Sequence, residues 1–509
     1  MRGVAAAFAA AAAVMAWGSA LGAEVRLEGT ADADARTIAR GVEGYLNALE
    51  ALDLPIAITG PALVRRGADG AYELVLPPIT VDTPEGLRLD FAVSQVDVTP
   101  RGPHLYDFDV KRLSPIDVWF DGKLAATIVV GAQTYRGIWD TRVSAPTEAT
   151  AMFGDIRLEG QNGHRFSARI ADVDARETTA LSADGTSIDR TARIDWRGLA
   201  FDDGEGATAT AEGGAIDSEV EGLPLPSVAG HPIVGLEGVL SGSTENRGAR
   251  FLAGLQADGP RERFSVDVRR IDIRTGAGVM RVGRMASVQA LDGGLTYRFE
   301  MDDLAMTDGS GTPFISLGRF ETRATASSKR DMAVDTDQRI SIGDFVLSGP
   351  FVGLVPGTAN IDVSARNIPL AALIDEVARL SPAAGDTAAT AMTAFLGVLA
   401  QSGTTISLDR LDLRDGGITA RLESPVGYDI ASLRFTTEEN RIAVRGLGAA
   451  VAALSANAGE NAQLIAMLSF AMAMARPEVR DDETVHVYEF GNGPNGGFLL
   501  NGRPLGGVQ

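Results

Sequence analysis

The sequence contains few residues of the types that hold catalytic metals. Cysteine is absent, so disulfides, thiolate metal sites and cysteine nucleophiles are excluded. A zinc site needs three or four converging nitrogen, sulfur or oxygen ligands. The four histidines are far apart, and none has a second ligand-type residue two or four positions later: His104, His164, His231 and His486. The sequence therefore predicts neither a metal site nor a cofactor.

Carboxylates are abundant, and a pair of them could act as general acid and base. Adjacent pairs occur at Asp202-Asp203, Asp302-Asp303 and Asp481-Asp482. Neighbouring residues of a strand point to opposite faces, so such pairs rarely form an acid–base couple. The chain also lacks a Gly-x-Ser-x-Gly elbow and a Gly-x-x-x-x-Gly-Lys phosphate loop. We therefore predict that the protein is not an enzyme. The alternative is a secreted hydrolase whose carboxylate-based active site forms only in three dimensions.

The most distinctive side chains are apolar. Residues 463–475 are apolar on nearly all sides and include three methionines, which adapt to varied apolar partners. A helix of this kind is either buried within the domain or in contact with lipid, and both readings are open. We predict that the apolar helix faces pack onto sheets and border any ligand space, through Phe395, Leu396, Leu464, Leu468 and Met472.

The elements that must position these residues follow from hydrophobic periodicity. Residues 31–53 form a predicted amphipathic helix, because Ile38, Val42 and Tyr45 recur at steps of three and four before Pro55 ends the pattern. From 56 to about 350 the apolar residues alternate with polar ones and Gly-containing turns intervene, which predicts long antiparallel strands with one buried face. A slip in this alternation between Ile342 and Phe345 predicts a β-bulge.

The last third of the chain contains two similar stretches, 358–425 and 438–505. Each is predicted to form a strand, two helices and a hairpin. Arg366 lies 40 residues before Ile406, and Arg445 lies 40 residues before Val485, while equivalent positions in the two stretches are 79 to 80 residues apart. This constant offset predicts a duplicated unit, although few side chains are identical.

Together these patterns predict a mainly β fold with some helix (α+β), in which a few helices cover long antiparallel curved sheets. The predicted divisions are an N-terminal helix plus β domain over 24–150, an antiparallel β region over 151–350 and an α+β region over 351–509. Because the helices are much shorter in total than the strand region, we expect incomplete cover and an apolar trough.

The first 23 residues have the features of a secretory signal peptide. Arg2 is followed by an alanine-rich apolar stretch and then by a cluster of small residues. The apolar stretch is short for a bilayer span of roughly 20 residues, so we predict cleavage, with a mature chain beginning between Leu21 and Glu24. A retained anchor is the alternative. We expect export to the periplasm and no stable transmembrane span after cleavage.

The charge of the chain limits its partners. The formal net charge is −21 and becomes −22 when the segment containing Arg2 is removed. Nucleic-acid binding depends on clustered lysine and arginine, so we predict no nucleic-acid partner. The excess of acidic residues is typical of an exported protein that remains soluble.

Two passages near the C-terminus resemble a known type of protein. They are Phe498-Leu499-Leu500-Asn501-Gly502-Arg503-Pro504-Leu505, and Arg366 to Leu370 after a strand. With the exported N-terminus and alternating strands, these passages resemble uncharacterised Gram-negative envelope proteins of the AsmA-like and YdgA-like type, including alphaproteobacterial domains of unknown function. The resemblance implies long curved sheets with an apolar inner face and an envelope or lipid-related role. AsmA-like proteins usually keep an N-terminal anchor, which this chain is predicted to lose.

These inferences lead to one expectation of function. We expect a periplasmic, non-enzymatic envelope protein that binds or shelters lipid or other apolar molecules, or that scaffolds envelope assembly. The expected partners are a lipid or another apolar ligand, and other envelope proteins.

Overall fold

The computed structural model describes residues 24–504 with several gaps. The gaps are 51–55, 68–69, 83–86, 93, 113–114, 144, 164, 225–258, 329–332, 350–351, 380–387, 438–439, 457 and 494–496. The predicted signal peptide, residues 1–23, therefore lies outside the described residues, and so do His164 and His231.

The described part of the chain is mostly β-strand with five helices, which confirms the predicted β-rich α+β class. The helices are α1 (Ala33–Glu50), α2 (Leu370–Arg379), α3 (Ala388–Gln401), α4 (Leu447–Ser455) and α5 (Ala458–Met474). The first fifteen strands are β1 (Val25–Glu28), β2 (Ile56–Ile58), β3 (Ala62–Arg66), β4 (Tyr72–Leu76), β5 (Ile79–Asp82), β6 (Leu87–Phe91), β7 (Ser94–Pro100), β8 (Leu105–Arg112), β9 (Ile116–Phe120), β10 (Lys123–Asp140), β11 (Ala145–Gly160), β12 (Ser167–Leu181), β13 (Ser187–Asp202), β14 (Thr208–Pro224) and β15 (Arg261–Thr275). The others are β16 (Gly278–Leu291), β17 (Gly294–Asp308), β18 (Pro313–Ser328), β19 (Ala333–Gly343), β20 (Val346–Leu347), β21 (Thr358–Pro369), β22 (Thr405–Arg414), β23 (Thr419–Ser424), β24 (Val426–Asp429), β25 (Arg434–Phe435), β26 (Asn440–Arg445), β27 (Arg476–Arg480), β28 (Glu483–Asn492), β29 (Phe498–Leu500) and β30 (Arg503–Pro504).

The chain divides into two compact units. Of the described residues, the first unit takes those up to 224 together with 259–277 and 288–292. The second unit takes 278–287 and the residues from 293 onward. The division passes through β16, so each unit contains more than one segment of the chain.

In the first unit, two groups of short strands meet on one long strand. β10 pairs along one edge with β8 through residues 135–140 and with β9 through residues 123–128. From β8 the pairing continues through β7, β4 and β3 to β1, which is parallel to β3. From β9 it continues through β6 and β5 to β2. Apolar side chains of both groups are buried with Ala35 and Ile38 of α1, so the helix packs by the face that its periodicity predicts.

The strands β10 to β15 form the long antiparallel meander that the period-two pattern predicts. Their inward-facing apolar side chains are buried: Ile156 is 5% exposed, Val173 2% and Ile194 3%. The inner face of this meander is therefore withdrawn from water, as alternation with one apolar face requires.

The long strands β10 and β11 contain a kink at which one residue of each strand is left unpaired. Asp155 of β11 has a left-handed backbone (φ 53°) and lies beside Gly131 of β10, where an added Cβ would come within 3.1 Å of the Asp155 Cβ. Pairing continues on both sides of this point without a change of register. Phe153 and Ile156 are consequently buried on one face although they are three residues apart.

The predicted slip between Ile342 and Phe345 belongs to the same kind of kink. A β-bulge needs an extra residue on one strand. β19 and β20 both pair with β18 in a single continuous register, so there is no extra residue. The slip arises instead from Asp344, whose left-handed backbone (φ 54°) separates the two strands.

The second unit is built on antiparallel neighbours. β17, β18, β19, β21 and β22 are adjacent in that order. β22 pairs with β23 and β24 along its other edge, and β23 leads through β26 to β28. β27 and β29 share the remaining edge of β28. The short strands β24, β25 and β27 are absent from the predicted pattern: β24 and β25 are too short to show alternation, and β27 contains a single large apolar residue, Val479.

Two passages of this unit have the same order of elements. β21, α2, α3 and β22 are followed by β26, α4, α5 and β28, and both strand pairs are antiparallel. The pair Ala365 and Ile406 corresponds to Val444 and His486, displaced by 79 and 80 positions. β27 has no counterpart among the described residues of the first passage. Superposition of 358–425 on 438–505, and the domain boundaries at 150 and 350, stay predictions.

Candidate functional site

One side of the second unit carries an extended and mainly apolar surface, interrupted by Thr322 and Gln338, which we call the open face. Strand register places paired residues on the same side of the sheet, so each row can be followed across several strands. One such row contains Phe299, Thr322, Ile340, Ile361 and Leu411. The open face consists of Phe299 and Met301 of β17, Phe320 of β18, Ile340 and Ile342 of β19, Ile361 and Val363 of β21, and Leu408 and Leu411 of β22.

All nine residues of the open face are half-buried rather than buried. At its margins, Ile406 is 40% exposed and Tyr297 36% exposed. Phe299 and Phe320 meet edge to face, with ring centroids 6.0 Å apart. The corresponding inward residues of the first unit are almost fully buried, so the two units differ in how completely their apolar faces are covered.

The helices of the first passage are attached at one end of the strands that form this face. α2 begins directly after β21, and α3 ends four residues before β22 begins. Because β21 and β22 are antiparallel, α2 begins and α3 ends at the same end of these strands. At that end the Thr404 hydroxyl donates a hydrogen bond of 2.9 Å to the Asn367 carbonyl oxygen. Ile340 and Ile361, further along their strands, keep part of their surface in water.

The opposite side of the same strands is charged. The Arg319 guanidinium contacts Glu300 at 2.9 Å and Glu321 at 3.0 Å, and Arg298 lies 3.3 Å from Glu321. Arg323 also pairs with Glu321. Partial burial would raise the pKa of Glu321, but the hydrogen bond from Arg323 and the nearby guanidinium charges hold that pKa below its ordinary value. One side of the sheet is therefore suited to water and the other is not.

Aromatic rings line the sheet beyond β22. Tyr428 stacks on Phe498 with centroids 5.7 Å apart, and Phe435 contacts Tyr428, Phe490 and Phe498 at 5.8, 5.9 and 5.5 Å. Register places Tyr428 beside Ile406 and therefore on the same side as the open face. Phe498 is 37% exposed, so this cluster is also only partly covered.

The helix α5 is held on the apolar side of the sheet at β28. The Tyr488 hydroxyl donates a 2.9 Å hydrogen bond to the Ala471 carbonyl oxygen near the end of this helix. The Asn501 amide donates to the carbonyl oxygens of Met474, at 2.8 Å, and Val487, at 3.1 Å. The bond to Met474 satisfies a carbonyl of the last helical residue, and the bond to Val487 ties the same amide to β28.

The predicted ligand-lining residues belong to two separate helix pairs. Leu464, Leu468 and Met472 are half-buried and follow one side of α5, which packs with α4. Phe395 is half-buried and Leu396 is 48% exposed on α3, which packs with α2. Their contact with a ligand stays a prediction. The strand residues of the open face alternate visibly in the sequence, but alternation alone does not reveal that they are half-exposed.

In the described part of the chain, every carboxyl group with a perturbed pKa has a lowered one. Hydrogen bonds from the Glu205 and Ala207 amides lower the pKa of Asp203, and the Arg414 guanidinium lowers that of Asp412. A general acid needs a raised pKa instead. Asp481 and Asp482 form the left-handed turn between β27 and β28. No described residues form a cluster of metal-ligating side chains.

A cavity of about 620 Å³ in the first unit brings several carboxylates together, including Asp97, Asp107 and Asp109. It is open to solvent and also contains Lys111, whose ammonium lies 2.6 Å from Asp109 and 3.4 Å from Asp97. These charges compensate one another, as surface ion pairs do.

Neither protein-family models, nor curated proteins, nor solved structures match this chain. Among the described residues, every helix is too short or too polar to cross a bilayer.

Proposed function

We propose that this is a periplasmic, non-enzymatic envelope protein whose open face binds the acyl chains of lipids. The observation that carries the proposal is that nine neighbouring apolar side chains across five paired strands are half-buried rather than buried. Large contiguous apolar surfaces on folded proteins usually mark a binding site.

The geometry of the open face suits an extended hydrocarbon. Five adjacent strands give a surface about 19 Å across, from four interstrand spacings of about 4.8 Å. Its aliphatic and aromatic side chains would gain free energy by excluding water from the chain and from themselves. The charged side of the same sheet remains hydrated, so a bound lipid would not compromise solubility.

A binding titration tests this proposal. Purified, delipidated protein is titrated with a dansyl-labelled fatty acid, and saturable fluorescence enhancement is expected. Ile361→Glu places a carboxylate in the middle of the open face and should weaken binding at least about tenfold, because the charge must be desolvated by the ligand. Ile361→Trp, which fills the space without adding charge, should weaken it as well.

The matched control adds the same charge to the other side of the sheet. Thr325 of β18 is exposed and faces the charged side, so Thr325→Glu should bind the probe as the unmodified protein does. Circular dichroism checks that each variant is folded. An absence of saturable binding, or binding by the folded Ile361→Glu and Ile361→Trp variants that equals that of the unmodified protein, would overturn the proposal.

A further inference from the structure

The outward side of α5 differs from that of an ordinary surface helix. Met467 is 62% exposed and Phe470 is 67% exposed, one turn apart, and Ala462, Ala466 and Ala473 are exposed on the same side, where Gln463 and Ser469 are the exposed polar residues. We call the five apolar residues the α5 stripe. Glu460 is the only charged residue in the 17 residues of this helix.

The helix α1 shows what a water-facing helix of this chain looks like. Its exposed positions include Asp34, Arg36, Arg40 and Glu43, opposite the buried Ala35 and Ile38. That separation of charged and apolar sides is the usual pattern for a helix that packs on a core and faces solvent. The α5 stripe has no such charges, so its outward side is suited to an apolar environment.

The α5 stripe is separated from the apolar side of the sheet by the thickness of one helix. The inner side of α5 contains Leu464, Leu468 and Met472, and Tyr488 bonds its backbone from the apolar side of β28. A surface that contacts the stripe would thus be separated by about 10 Å, one helix diameter, from the sheet on which α5 rests.

The size and chemistry of the stripe decide which partner fits it. A helix of 17 residues is about 25 Å long and roughly 10 Å wide, so its outward side covers about 250 Å². A stable protein–protein interface buries roughly 800 Å² on each partner, with polar groups at its rim. A bilayer requires no complementary shape and accepts Met and Phe side chains at the boundary of headgroups and acyl chains.

We infer that the α5 stripe docks on the surface of a lipid bilayer with zwitterionic headgroups, an inference that rests on the proposed lipid-binding function. The headgroup class follows from charge: the stripe has no lysine or arginine, and the chain has a formal net charge of −21. Anionic headgroups attract basic segments and would repel this protein. Docking would bring the second unit to a source of acyl chains.

Vesicle sedimentation tests the inference with the full-length mature protein. Vesicles of phosphatidylcholine and phosphatidylethanolamine should carry the protein into the pellet. The double variant Met467→Asp/Phe470→Asp should lose at least about tenfold in vesicle affinity, since two large apolar side chains no longer insert. A second double variant, Met467→Gln/Phe470→Gln, removes the apolar groups without charge and should weaken sedimentation in the same direction. Ala180→Asp, at an exposed position of β12, adds a carboxylate elsewhere and should sediment like the unmodified protein.

Several outcomes would overturn the inference. The first is failure of the unmodified protein to sediment, and the second is unchanged sedimentation of both double variants. Stronger binding when phosphatidylglycerol is added would show that basic groups, and not the stripe, make the contact. A dimer of the unmodified protein on gel filtration that becomes monomeric in the double variants would assign the stripe to a second copy of the chain. Titration with the soluble dansyl fatty acid is run in parallel, because its failure alone identifies a failure of the proposed function.

Discussion

At the residue scale, left-handed backbone positions control where helices and strands meet. Asn367 (φ 59°) and Gly446 (φ 83°) precede the first helix in the two similar passages and are 79 residues apart. Asparagine and glycine are the residue types that adopt this conformation most easily. The left-handed backbone therefore recurs at the predicted offset, although few side chains are identical between the two passages.

Replacing Gly446 by alanine should destabilise the protein by about 2 kcal/mol or more. The backbone there is left-handed, and an added Cβ would lie 1.7 Å from the Gly417 carbonyl oxygen. Urea denaturation measures the change. Gly459→Ala is the matched control, because nothing lies within 4 Å of its Cβ position and alanine favours the helix. Equal stability of the two variants would contradict the strain assigned to Gly446.

Glu478 should make stability depend on pH. Hydrogen bonds from Arg480 and Arg476 lower its pKa to about 2 from an ordinary value of 4.5. The folded state therefore favours the charged carboxyl, and this stabilisation is complete above pH 4.5 and lost as the pH falls from 4.5 towards 2.

The variant Glu478→Gln removes that contribution. The difference in urea midpoint between the unmodified protein and this variant should be largest near neutral pH and should shrink as the pH falls towards 2. Glu219→Gln, at an exposed position of β14, controls for the loss of one negative charge. A difference that grows on acidification would refute the assignment.

At the element scale, α5 has two sides with different surroundings although Glu460 is its single charged residue. Leu468 is half-buried on the side that also contains Met472, whose Cε lies 3.8 Å from the Cβ position of Gly448 in α4, whereas Ser469, the next residue, is exposed. Helical periodicity does not distinguish the two sides clearly, because a charged residue marks neither Leu468 nor Ser469. The hydrogen bonds from Tyr488 and Asn501 orient the helix.

Replacing Leu468 by aspartate should therefore lower the free energy of unfolding by about 2 kcal/mol, because the carboxylate would lie against apolar surface. Ser469→Asp places the same group one residue later and should change stability by no more than about 0.5 kcal/mol. Thermal unfolding of both variants is the measurement. If Leu468→Asp were as stable as the unmodified protein, the inner side of α5 would be in contact with water and our orientation of the helix would be wrong.

At the scale of the whole molecule, the chain is acidic and one of its apolar faces is incompletely covered. The formal net charge of −21 opposes association at neutral pH, and it disappears near the isoelectric point of about 4.7. The paired arginines and glutamates on the other side of the sheet also remain hydrated. Charged and apolar side chains are therefore placed on different sides of the same strands.

Light scattering between pH 4 and pH 8 should show the strongest association near pH 4.7. Saturation with lysophosphatidylcholine, whose headgroup remains zwitterionic over this range, should reduce that association, because the ligand covers the open face. The Ile361→Glu variant serves as control and should show a smaller effect at the same concentration of the lipid. Association that is unchanged by the lipid in the unmodified protein would argue against an exposed apolar face.

Much of the fold could be predicted from local pattern. Alternation of apolar and polar residues reports which way side chains point from a strand, and this identified the long strands, including those that contain Phe299 and Ile340. The helix containing Ile38 and the two similar passages were also predictable, because helical period and a constant spacing are properties of the chain alone. The kink at Asp344 was visible only as a slip, because a left-handed residue and a bulge shift the alternation in the same way.

What the sequence by itself determined is that the strands have one apolar side and one charged side. Only the tertiary structure decided how much of each apolar side is covered. Val173 and Ile340 look alike in their strands, yet the first is buried and the second is half-exposed. The physical reason is that cover depends on which distant elements pack over a residue, and such contacts join parts of the chain that share no local pattern.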